Sequence, residues 1–187
     1  MARAKLGAAF SRMRGKVGNL VVREVNGRPV VSQFPDRSSM PPTEAQQAHR
    51  EAFRRATFYG KSVMGDPDAQ AFYEPFADRR GMTVYAVSVG DFLNAPVVGE
   101  IDASAYTGAT GDAIRVVATD DVEVTEVVVA LFDGDTELES GLATLDEWRW
   151  VYEAQTDVAS GTDVTISARA FDRPGNEGEL SVDVTTP

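Results

Sequence analysis

The sequence predicts an α+β fold: an N-terminal β-hairpin, then helices, then an all-β antiparallel sandwich. Three observations carry that expectation. Asn26-Gly27 stands between two β-branched runs, the strongest short hairpin signal because both turn residues need positive φ. From residue 43 to residue 93, apolar side chains recur every three or four positions, the period of a helix. Beyond Pro96, short alternating runs are broken by turn residues about every ten positions, as in a sandwich.

The first element is a basic arm, residues 1–18. Leu6, Phe10, Met13 and Val17 stripe it at helical spacing, against which Gly7, Gly15 and Gly18 argue. The hairpin joins Leu20–Val25 to Arg28–Gln33, with Pro29 suited to an edge because it lacks an N–H donor. A two-stranded hairpin is marginal alone, so it needs a helix, or a strand from another chain, to lean on. Thr43 with Gln46 makes a capping box for a helix running to about Val63. Its apolar face is expected to hold Ala45, Ala48 or His49, Ala52, Phe53, Ala56, Tyr59 and Val63. Asp66-Pro67 opens a second, short helix. Residues 82–93 fit both periods; Met82, Tyr85, Val89, Phe92 and Leu93 favour a helix. Asn94-Ala95-Pro96 reads as a linker, which divides the chain into the arm (1–18), a hairpin and helical domain (19–95) and a sandwich (96–187). The sandwich strands are expected at 97–105, 112–119, 125–133, 136–144, 147–155, 163–172 and 179–185. Trp148 and Trp150 point the same way from one of them.

Composition narrows the chemistry. The 187 residues suit one large domain or two small ones. The absence of cysteine removes disulfides, thiol nucleophiles and cysteine-held zinc, and a single histidine, His49, removes any site needing two imidazoles. No apolar run is long enough to span a membrane as a helix. The net charge of −11 is unevenly spread. Residues 1–40 hold eight basic and two acidic groups (+6), residues 41–95 six and seven (−1), and residues 96–187 four and twenty (−16).

Two short motifs fail on context. Gly15-Lys16-Val17-Gly18 matches a loop that clamps RNA phosphates, but that loop needs flanking helices and a hairpin follows here. Gly60-Lys61-Ser62 resembles the end of a phosphate loop, but Arg55 stands where the earlier glycine belongs and the preceding residues are helical. Neither a nucleophile elbow nor a carboxylate pair at a fixed separation is legible, so no catalytic residue and no cofactor is expected and the chain reads as non-catalytic. The loop acids Asp120, Asp121, Asp133, Asp135 and Asp172 are the candidates for holding calcium through oxygen, against the plainer reading of solvated acidic turns.

The stretch Ala118-Thr119-Asp120-Asp121, the Trp150-Val151-Tyr152 strand and Ala170-Phe171-Asp172-Arg173-Pro174-Gly175-Asn176 resemble bacterial immunoglobulin-like domains over about 96–187. Gly15–Asn19, the Asn26-Gly27 hairpin and Thr43-Glu44-Ala45-Gln46 with Arg50 and Phe53 are similar to a bacterial family of unknown function. The first resemblance implies adhesion, spacing or assembly, although a fold does not fix a function.

The function expected from the sequence is that of a structural subunit polymerising with copies of itself into a filament, tube or shell. The opposed charges of the two ends favour a head-to-tail contact, which builds rings or open filaments. The subunit contacts are assigned to Arg3, Lys5, Phe10, Arg12, Arg14, Lys16, Val21, Val22, Val30 and Val31. The alternative is an adhesion module for a surface ligand, or a nucleic-acid-binding module using the basic end. The start of the chain lacks the apolar core of a secretory signal, which leaves the cytoplasm or a different export route.

Overall fold

The computed structural model describes residues 14–25, 28–33 and 41–187. The chain divides into two compact units, Met1–Gln47 and Ala48–Pro187.

The first unit contains an antiparallel sheet of β1 (Gly15–Val17), β2 (Leu20–Val25) and β3 (Arg28–Gln33), in the order β1-β2-β3. The expected hairpin is β2–β3, and its Asn26-Gly27 turn lies outside the described residues. Strand β1 is an addition to the sequence reading. Val17, placed above on a helical stripe, is instead a strand residue paired with Leu20; Leu6, Phe10 and Met13 lie outside the described residues. Val22 is opposite Gly15 on one side and Val31 on the other. Pro29 sits on β3, which pairs with β2 alone among the described residues. Thr43 and Gln46 form the capping box, each side chain accepting the other's backbone N–H at 3.3 Å.

Helix α1 (Glu44–Met64) starts at this cap and runs on into the second unit, where α2 (Pro67–Arg80) and α3 (Val84–Leu93) follow. Asp66 caps α2 by accepting from Asp68 N at 3.0 Å, and Thr83 Oγ1 caps α3 by accepting from Ala86 N at 3.2 Å. The residues of α1 that turn inward are Ala56, Gly60 and Val63. Ala45, Ala48, His49 and Phe53, expected on the apolar face, are exposed; burial on α1 begins at Ala52 and runs through Ala56, Tyr59 and Val63. Gly60, which tempted a phosphate-loop reading, has a packing role: a Cβ there would lie 2.7 Å from Val89 Cγ2, so glycine lets α1 and α3 approach. The helical core joins Val63, Ala69, Tyr73, Ala77 and Val87, with Val122 of the sandwich packed against it.

The remaining strands are β4 (Val97–Asp102), β5 (Ala113–Thr119), β6 (Val124–Asp133), β7 (Thr136–Leu142), β8 (Thr144–Asp146), β9 (Arg149–Glu153), β10 (Asp163–Asp172) and β11 (Glu177–Thr185). They form two four-stranded sheets, β4-β5-β9-β8 and β11-β10-β6-β7, paired antiparallel throughout. The two inner faces supply a core that includes Ile114, Val116, Val127, Leu131, Trp150, Tyr152 and Ile166. The sequence reading ends one strand at 144 and begins the next at 147, so β8 is an addition to it. Trp148 instead occupies the turn between β8 and β9 and is exposed, stacked under Arg149, while Trp150 is in the core. The entry to β4 is tight: a Cβ on Gly178 of β11 would clash with the Pro96 carbonyl oxygen.

Candidate functional site

The helices and the sandwich meet at a cluster of carboxylates. Helix α3 is mostly apolar, and Asp91 is the only charged residue between Gly81 and Pro96. Its position near the end of the helix aims it at the β5–β6 turn, which carries Asp120 and Asp121. One oxygen from each of these three acids lies within 4.8 Å of the other two. Asp91 is 1% exposed.

Each carboxylate is held by one oxygen. Asp91 Oδ2 accepts from the Tyr73 hydroxyl at 2.5 Å, and Tyr73 is itself hydrogen-bonded to the Tyr59 hydroxyl at 2.8 Å. Asp120 Oδ2 accepts from Val122 N at 3.0 Å and Glu123 N at 3.1 Å, which fixes the turn. Asp121 Oδ2 accepts from Asn94 Nδ2 at 3.3 Å and lies 3.6 Å from Arg80. The second oxygen, Oδ1, of all three is buried without a hydrogen-bond partner. Burial pushes the Asp91 carboxyl up to about 7; the Tyr73 hydroxyl opposes this, and the charges of Asp120, Asp172 and Asp121 add to it. Burial likewise raises Tyr73 and Tyr59.

Asp172 borders this cluster but is committed to its own turn. Its Oδ1 accepts from Gly175 N at 2.8 Å and Asn176 N at 2.6 Å, and its Oδ2 from Asn176 Nδ2 at 2.7 Å. Asn176 Nδ2 also reaches the carbonyls of Asp91 at 3.1 Å and Asn94 at 3.2 Å, tying the end of α3 to the β10–β11 turn. Asp133 and Asp135 flank the β6–β7 turn, exposed, and join no acid cluster among the described residues. Of the five acids singled out in the sequence, the fold therefore gathers Asp120 and Asp121, with Asp172 alongside. It adds Asp91, whose signal was a lone acid in an apolar helix.

Other loop acids serve as staples. Asp112 accepts from Thr107 N at 2.6 Å, Thr107 Oγ1 at 2.7 Å and Ala109 N at 3.0 Å, and Asp157 accepts from Thr110 N and Oγ1, both at 2.8 Å. These bonds hold both carboxyls below the usual range.

The N-terminal sheet carries the other group of singled-out residues. Arg3, Lys5, Phe10 and Arg12 lie outside the described residues. Arg14 pairs with Glu24 across β1 and β2. Lys16 lies on β1. Val22 is buried, so it is not an exposed contact; Val21 is half-buried, and Val30 and Val31 are exposed. Val17, Leu20 and Val25 are exposed as well.

The fold and site together define an α+β protein whose β-sandwich meets a helical layer across a partly buried carboxylate cluster. No protein-family model matches the sequence, and no curated protein matches it. A crystal structure of an engineered protein is similar to it over 48% of this chain and 20% of that one, at 24% identity and a TM-score of 0.37. The chain thus spans a small part of that protein's length. No helix among the described residues is long and apolar enough to cross a membrane.

Proposed function

We propose that the chain is a non-catalytic structural subunit that polymerises with copies of itself through its N-terminal segment. The observation that carries this reading is the state of the three-stranded sheet. Both β1 and β3 pair with β2 alone among the described residues, and Val17, Leu20, Val25, Val30 and Val31 are 36% to 49% exposed. Open edges and uncovered apolar side chains invite strand addition from another molecule. A second copy is the occupant because the charges suit it: +6 over residues 1–40 faces −16 over residues 96–187. Such a contact joins different surfaces and propagates into a filament, tube or shell unless the rotation closes.

The sandwich belongs to this reading as an immunoglobulin-like domain of the bacterial kind. Lettered in chain order, β4-β5-β9-β8 corresponds to the A-B-E-D sheet and β11-β10-β6 to G-F-C, with β7 as an added strand beside C. In the polymer it decorates the surface or joins the lattice.

Sedimentation of the full chain tests the proposal. Large species are expected to grow with protein concentration and shrink with salt, and Val30→Lys with Val31→Lys is expected to abolish them. Solitary chains at high concentration and low salt, or a Lys variant that sediments as the parent does, would refute it.

A further inference from the structure

We propose that Asp91, Asp120 and Asp121 form a calcium site that joins α3 to the β5–β6 turn. Two independent observations support it. The three acids bring one oxygen each to within 4.8 Å of the others. Separately, Asp91 is 1% exposed, yet its Oδ1 has no hydrogen-bond partner; Asp120 and Asp121 are half-buried, and their Oδ1 atoms are likewise buried and without one. A buried, unpartnered carboxylate oxygen is costly. Three acids that meet, each with such an oxygen, call for a positive group among them.

Among the described residues, the cation paired with this cluster does not fill that role. Arg80 is 3.6 Å from Asp121 Oδ2, the oxygen already bonded to Asn94. The Tyr73 hydroxyl and the Val122 and Glu123 amides likewise serve the Oδ2 atoms of Asp91 and Asp120. Every contact that positions these carboxylates approaches from the Oδ2 side, so the three are held ready without being satisfied.

The donor set selects the cation. It is all oxygen and carries several negative charges, which suits a hard ion rather than zinc or copper. Oxygens within 4.8 Å of one another can share a sphere of the calcium bonding radius, ~2.3–2.6 Å. Magnesium binds at ~2.0–2.1 Å and holds its waters, so it matches a spread cluster less well. Water completes the calcium shell. The Asn176 amide, bonded to the carbonyls of Asp91 and Asn94, braces the backbone behind the site.

The test uses the full chain, stripped with a chelator and then titrated. Calcium is expected to raise the thermal unfolding midpoint with saturation. Terbium is expected to give emission sensitised by Tyr73, which calcium displaces. Asp120→Asn and Asp121→Asn are expected to weaken both responses by roughly tenfold or more, because ligand charge sets affinity. Asp133→Asn, in the exposed turn at the other end of β6, is expected to leave them unchanged. The site is overturned if millimolar calcium does no more than sodium chloride of equal ionic strength. It is also overturned if both variants, folded by circular dichroism, respond as the parent does, or if Asp133→Asn weakens the response equally. A midpoint shift larger with magnesium than with calcium would overturn the choice of ion.

Discussion

Replacing Asp91 by asparagine isolates the cost of its buried charge. Asparagine keeps the shape and an oxygen for the Tyr73 hydroxyl, but cannot ionise. The groups facing Asp91 are Tyr73 from α2, Asp120 and Asp121 from the β5–β6 turn, and Asp172 from β10, with Tyr59 of α1 behind Tyr73 and Arg80 beside Asp121. In the folded chain the Asp91 carboxyl is pushed up to about 7 from 3.8. The folded state therefore holds this proton more tightly than the unfolded state. Its contribution is intact below the unfolded value and is lost as pH rises through the folded one. That displacement corresponds to a ceiling of about 4 kcal/mol. In chelator, urea unfolding followed by Trp150 fluorescence from pH 4 to pH 8 is the assay. Near pH 4 the pH-dependent difference between Asp91→Asn and the parent is absent. By pH 8 it is expected to favour the variant by up to about 4 kcal/mol. Acids far from Asp91 cancel in the difference, whereas Asp120, Asp121 and Asp172 interact with its charge and their response is part of what is read. A constant difference across that range, or one that grows as pH falls, would refute the reasoning. Calcium is then expected to stabilise the parent at neutral pH and to stabilise the variant much less.

Gly178→Ala is expected to cost about 1–3 kcal/mol or more, since its methyl group meets the backbone of Pro96 rather than a side chain that can rotate away; an unchanged thermal midpoint would contradict this. Ile166→Ala, fully buried opposite Val182 and Leu131, is expected to lose about 2–5 kcal/mol in urea unfolding through transfer and cavity costs together. A loss below 1 kcal/mol would mean that the two sheets pack less tightly there than the structure describes.

Local signals carried most of the fold. The alternation Val164, Ile166, Ala168, Ala170 marks β10 over the same residues that the structure assigns, because one face of that strand lies wholly in the core. Thr43 with Gln46 and Asp66-Pro67 locate two helix starts through caps that are themselves short-range. Strand β1 was missed because three residues carry no period; pairing with β2 makes it a strand. Trp148 was misplaced because alternation does not reveal where a turn interrupts it. The carboxylate site was half legible. Adjacent acids at Asp120-Asp121 were visible, whereas Asp91 lies 29 residues earlier in the chain and is brought to them only by the packing of α3 on the sandwich.

The contact between the Pro96 carbonyl and Gly178 has a mechanical side. A connector that passes this close to the final strand has little room to swing on that side. A pull on α3 is transmitted into β11 at the very start of the sandwich, and the first and last strands then share the load. Under tension the layer of helices and the sandwich should yield together as one block rather than peel apart in sequence.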